Sequence, residues 1–183
     1  MGTAFVFDPD GSYGRVREIR AAGVMPVAGL RYVASVTGPF KLVKVLAFDD
    51  LDDLPDKLDS VGSSDDNAIA LYASKIRKSQ YRANTAFVMI ETRVPDPSTL
   101  LGAIAEAIGS DEADVVAGAF DILAVVIDDD ADDLSRKIFA IRGIDGVKRT
   151  MSLRVMDYVS TSPNAPDDHR AKEAEADEYA TLD

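Results

Sequence analysis

The feature that most narrows what this chain can fold into is a duplication. The segment from Gly38 to Leu58, GPFKLVKVLAFDDLDDLPDKL, aligns without gaps on Gly118 to Ile138, GAFDILAVVIDDDADDLSRKI; glycine, phenylalanine, valine, four aspartates, leucine and lysine coincide. Upstream, Thr3-Ala4-Phe5-Val6 returns as Thr85-Ala86-Phe87-Val88, so the two anchors differ in spacing by two residues, which a loop absorbs at little cost. Whatever the first half builds, the second half builds again.

The second copy is the clearer one. Ala86 to Arg93 is β-rich and closed by Pro95 and Pro97, as a strand followed by a turn requires. Asp96 then stands as N-cap before Pro97, and Leu100 or Leu101, Ile104 and Ile108 recur at helical spacing up to Gly109. Apolar runs at Val115 to Ala117 and Ile122 to Ile127 flank Gly118-Ala119 and predict two strands about a tight turn. Asp130 to Asp133 place negative charge at the start of a helix whose stripe is Leu134, Ile138 and Ile141, ending at Gly143; Val147 to Met156 supplies a last strand.

The order strand, helix, strand, strand, helix, strand is that of a ferredoxin-like βαββαβ unit with both helices on one face. The first copy gives the same order: a strand from Thr3, a helix Ser12 to Ala22, strands Arg31 to Val36 and Phe40 to Phe48, a helix Leu51 to Ser60 and a strand Ala68 to Ile76. The expected class is therefore α+β, with two tandem ferredoxin-like units, 1–77 and 84–158, packed as an internal pseudo-dimer of the dimeric α/β-barrel type. The two sheets would lie face to face or join as a barrel. A basic joint spans Arg77 to Asn84, and residues 160–183 form an acidic tail expected to be disordered.

Composition excludes several chemistries. There are no cysteines among the 183 residues, so disulfides, thiolate nucleophiles and cysteine-ligated metals are ruled out. A formal charge of −12 disfavours nucleic acid and anionic lipid and fits either an ordinary acidic surface or adaptation to high salt. No run approaches the roughly 20 apolar residues of a membrane span, so the expectation is a cytoplasmic protein. The single histidine, His169, sits in the tail, and no catalytic triad or haem ligand set can be drawn from the rest. The run Asp128, Asp129, Asp130, Asp132, Asp133 lacks the glycine turn and terminal glutamate of a calcium loop and suits helix capping. Gly11-Ser12-Tyr13-Gly14, a loop at a helix start, suits a turn more than an anion site. No metal and no cofactor is expected.

Three features in order, from Thr85 to Met156, carry a family resemblance: the first strand and helix, then Gly118-Ala119-Phe120-Asp121, then Gly143-Ile144-Asp145-Gly146-Val147 leading into Thr150-Met151-Ser152. In these the second copy resembles the effector-binding domain of the leucine-responsive regulator/asparagine-synthesis regulator (Lrp/AsnC) family of prokaryotes. The resemblance implies dimers or higher oligomers that bind an amino acid or similar effector, with Gly118, Phe120, Asp121, Thr150 and Ser152 as the ligand-binding positions. Residue chemistry allows this: a glycine admits close approach, Asp121 could accept from an ammonium group, and two hydroxyls could bind a carboxylate. Glycine and aspartate in a plain hairpin turn, with hydroxyls on an ordinary strand, is the competing reading.

Two departures accompany the resemblance. No helix-turn-helix precedes the copy, and the first copy has Lys41 where the motif has aspartate. The expected function is a non-enzymatic, stand-alone small-molecule sensing or regulatory module that associates with itself or with regulator proteins and does not touch nucleic acid or membrane. The alternatives are an assembly or interaction protein without a ligand, and an enzyme of the dimeric α/β-barrel type.

Overall fold

The computed structural model describes residues 2–12, 14–23, 25, 27–61, 68–74, 76 and 84–161. In chain order these form β1 (Gly2–Asp8), α1 (Gly14–Ala22), β2 (Leu30–Val36), β3 (Leu42–Phe48), α2 (Leu54–Ser60), β4 (Ile69–Ala73), β5 (Thr85–Thr92), a 3-10 turn (Pro97–Leu100) running into α3 (Leu101–Ile108), β6 (Ala113–Val115), β7 (Ile122–Ile127), α4 (Ala131–Arg142) and β8 (Val147–Ser160). Local chemistry explains the helix ends. Asp96 accepts from the Ser98 amide at 3.0 Å, and Asp130 Oδ1 accepts from the amides of Asp132 and Asp133 at 2.7 and 2.9 Å. The tail beyond residue 161 and the joint at 77–83 lie outside the described residues.

The expectation of two tandem ferredoxin-like units is corrected by how the strands pair. All eight belong to one antiparallel sheet, in the order β4-β1-β3-β2-β8-β5-β7-β6. The join at its centre is β2 with β8, from Tyr32 opposite Ser160 to Val36 opposite Val155. Strand β8 is 14 residues long, and its two ends serve different halves: Val147 to Arg154 lies along β5, Val155 to Ser160 along β2. At the opposite side the sheet almost meets itself, where Tyr72 on β4 bridges Ala117 just beyond β6. The result is a nearly closed barrel whose two halves share one hydrogen-bonded wall.

This wall explains two differences from the expected elements. β8 continues past Met156 because β2 supplies its partners as far as Ser160. The short strand spans Ala113–Val115, two residues earlier than the expected Val115 to Ala117, and Ala117 turns its backbone to Tyr72 instead.

The interior of the barrel is filled with side chains from both halves, as a barrel of eight strands permits. Phe5, Phe7, Tyr32 and Val45 meet Phe87, Met89, Leu123 and Leu153 there. Phe87 sits with its ring 6.1, 6.2 and 6.3 Å from those of Phe5, Phe7 and Tyr32, in edge or tilted arrangements that aromatic quadrupoles favour. The helices lie outside. Each half has its own apolar layer beneath them: Val16, Ile19 and Leu54 against β1 and β3, and Ile104, Ile138 and Ile141 against β5 and β7.

Candidate functional site

The two helix-side layers are not equivalent, and the repeat makes the difference legible. In the second half, Ile90 on β5 and Ala124 on β7 are fully buried under α3 and α4. Their counterparts in the first half, by the repeat offsets, are Asp8 on β1 and Lys44 on β3. These form an ion pair of 2.7 Å, with side chains only 8% and 10% exposed. Each is held further: Asp8 Oδ1 accepts from the Asp10 amide at 3.0 Å, and Lys44 Nζ also donates to the carbonyl of Val61 at 2.8 Å.

A buried ion pair recovers its desolvation cost poorly compared with apolar side chains of similar volume. The second half shows that this fold closes with the apolar pair. What accompanies the charged pair is space: a cavity of about 320 Å³ between α1, the segment after it, β2, β3 and the end of α2. Its walls are Ile19, Val27, Leu30, Val33 and Val61, with Lys44, Arg15 and Ser60 as the polar members. Arg15 is half-exposed and paired with Glu18 one turn on, and the Ser60 hydroxyl donates to the carbonyl of Lys57. The pocket is partly open to solvent and mixes apolar walls with a few polar groups, and its volume is at the lower end of the range usual for small-molecule sites.

The positions singled out from the resemblance are not brought together. Gly118 and Phe120 belong to the barrel seam and interior. Gly118 has φ +142°, and a Cβ there would come within 2.7 Å of the Ala70 carbonyl on β4. Phe120 is buried in the interior cluster. Asp121 is already bonded: its Oδ2 accepts from the amide and hydroxyl of Thr92 at 2.7 and 3.1 Å. Thr150 and Ser152 stand in register with Ile90 and Val88 of the helix-side layer, on the opposite face of the wall. There Thr150 accepts from Nε of Arg142 at 3.0 Å, and the Ser152 hydroxyl is buried without a hydrogen-bond partner among the described residues. Phe120 therefore lies on the opposite face of the sheet from Thr150 and Ser152, while Gly118 and Asp121 sit in the turn between β6 and β7.

The acidic run behaves as a helix start. Besides the Asp130 cap, Asp128 Oδ1 accepts from the Asp130 amide and its Oδ2 pairs with Lys137 at 2.9 Å; that hydrogen bond, first among several causes, holds the Asp128 carboxyl below its ordinary range. No group of three potential metal ligands is found among the described residues. In the loop before α1, the Ser12 hydroxyl oxygen accepts from the Gly14 amide at 3.2 Å, a local turn contact.

Asp8 and Lys44 were missed by motif reasoning, since neither belongs to a motif. The signal was nonetheless in the gapless alignment, where Lys44 interrupts an apolar strand at the position of Ala124. No helix among the described residues is long and apolar enough to cross a membrane.

No family model and no curated protein matches the chain. A solved structure described as a crystal structure study of an anthrone oxidase-like protein is similar to it, with 11% identity and a TM-score of 0.48 over 88% of this chain and 93% of that one. Likeness at this level carries no argument about activity. No family model supports the expected kinship with the Lrp/AsnC effector-binding domain or the role in transcription regulation that it implied, and the tandem ferredoxin-like units expected with it are corrected to one continuous wall.

Proposed function

We propose that this protein is a small-molecule-binding module that binds without catalysis, and that its site is the helix-side cavity of the first half. The observation that carries the reading is the buried Asp8–Lys44 pair beside that cavity, at positions where the second half packs Ile90 and Ala124. A charged pair retained where the same fold accepts an apolar one is costly for stability alone. A ligand-facing donor gives it a purpose. Binding in place of reaction fits the polar lining, in which Lys44, Arg15 and Ser60 are each engaged by a neighbour and, among the described residues, no nucleophile is paired with a base. A cytoplasmic setting belongs to the same reading.

The test is native mass spectrometry and calorimetry of the full chain against a panel of small metabolites, beside a Val33→Phe variant that fills the cavity from β2. Retention of a compound by the parent and its loss in a folded Val33→Phe supports the site. Equal binding by both proteins places the ligand elsewhere and ends the proposal.

A further inference from the structure

The same cavity also specifies the chemistry of its occupant, on the condition that the binding reading above holds. A lysine ammonium has three N–H donors and no acceptor. Among the described residues, Lys44 directs one to Asp8 Oδ2 at 2.7 Å and one to the Val61 carbonyl at 2.8 Å. One donor is left, on a side chain that lines the cavity. The charge itself is already matched by Asp8.

We infer that the cavity takes a compact apolar molecule carrying one neutral acceptor oxygen, of the ketone, ester or ether type, which accepts the third N–H of Lys44 while its hydrocarbon body lies against Ile19, Val27, Leu30, Val33 and Val61. Two alternatives are disfavoured by the same geometry. Oxygens that both bond one nitrogen sit about 4–5 Å apart, so a ligand carboxylate on Lys44 would face the Asp8 carboxylate at a separation where like charges repel strongly out of water. A free amino acid calls for an anionic partner for its ammonium group, and among the described residues the lining contains no carboxylate. Size admits a body of at least one small ring, because an apolar protein cavity of about 150 Å³ already admits benzene.

The experiment is calorimetric titration of the full chain with four probes of matched body: cyclohexyl methyl ketone, methylcyclohexane, cyclohexanecarboxylate and L-leucine. The ketone should bind about 10-fold or more tightly than methylcyclohexane, the increment of one hydrogen bond to a charged donor, and more tightly than the other two. The companion is the double substitution Asp8→Ile with Lys44→Met, which restores the apolar character of the second half and keeps the lysine stem's volume. It should fold, bind the ketone and methylcyclohexane equally, and so isolate the donor. Equal affinities for the ketone and methylcyclohexane in the parent, or a preference for the carboxylate or leucine, overturn this inference and leave the cavity as a binding site. Failure of all four probes to bind overturns the binding reading itself.

Discussion

Asp114 on β6 reaches across the seam of the barrel to Ser74 just beyond β4, its Oδ2 accepting from the serine amide at 2.7 Å and from the hydroxyl at 3.2 Å. A side chain here supplies what a ladder of backbone bonds supplies elsewhere in the wall. Next to it, the two backbone hydrogen bonds between Tyr72 and Ala117, at 3.2 and 3.3 Å, are the bridge that joins β4 to the β6 side. Asp114 is 3% exposed, and its carboxylate is an acceptor that the Ser74 amide and hydroxyl share. Asp114→Ala should cost about 1–3 kcal/mol, and amide exchange at Tyr72 and Ala117 should speed up more than at β5 or β7. Protection at the seam unchanged from the parent would show that the bridge stands without this carboxylate.

Phe87 tests whether the barrel is one cooperative body. Its ring touches Phe5, Phe7 and Tyr32 of the other half, inside a cluster that draws on both. Phe87→Ala should destabilise by about 3–5 kcal/mol, as large-to-small changes at buried aromatics do. Unfolding followed by hydrogen exchange in β1 and in β5 should give a single transition at a lower denaturant midpoint. Two separated transitions would mean that the halves are held together only loosely.

Two glycines should respond in opposite directions. Gly118→Ala places a Cβ 2.7 Å from the Ala70 carbonyl at a φ that L residues avoid, and should cost roughly 1–3 kcal/mol. Gly102 lies in the first turn of α3, and among the described residues none would come within 4 Å of a methyl group there, so Gly102→Ala should stabilise by about 0.5–1 kcal/mol through helix propensity. Denaturant midpoints for the pair provide the measurement.

Glu112, in the turn before β6, carries a pH signature. Burial pushes its carboxyl above the ordinary value of 4.5, with the neighbouring Asp111 adding to the shift, and Oε2 has no hydrogen-bond partner among the described residues. A carboxyl raised on folding keeps its stabilising protonated form below its unfolded pKa and loses stability as pH climbs through the folded one. Glu112→Gln should therefore be more stable than the parent near neutrality, by less than about 1 kcal/mol given the solvent still reaching the group. The two proteins should converge at about pH 4, which thermal unfolding across that range would show. A constant difference at all pH values would exclude titration of Glu112 as the cause.

What the sequence determined by itself is local. The helix stripes of Ile104 and Ile138, the caps at Asp96 and Asp130 and most strand cores follow from residues within one or two turns of each other, and these short-range preferences persist in the folded chain. Only the tertiary structure decided how the strands join. Nothing local tells Tyr32 that its partner is Ser160, or Tyr72 that it will meet Ala117, because a strand's periodicity records which face is buried and not which neighbour lies along its edge. That edge pairing turned two expected units into one wall, and it set Thr150 and Ser152 on the opposite face from Phe120. The candidate site has the same origin. Asp8 and Lys44 are both visible in the sequence as charges in apolar company, but their pairing and the space beside them exist only once β1, β3, α1 and α2 have packed.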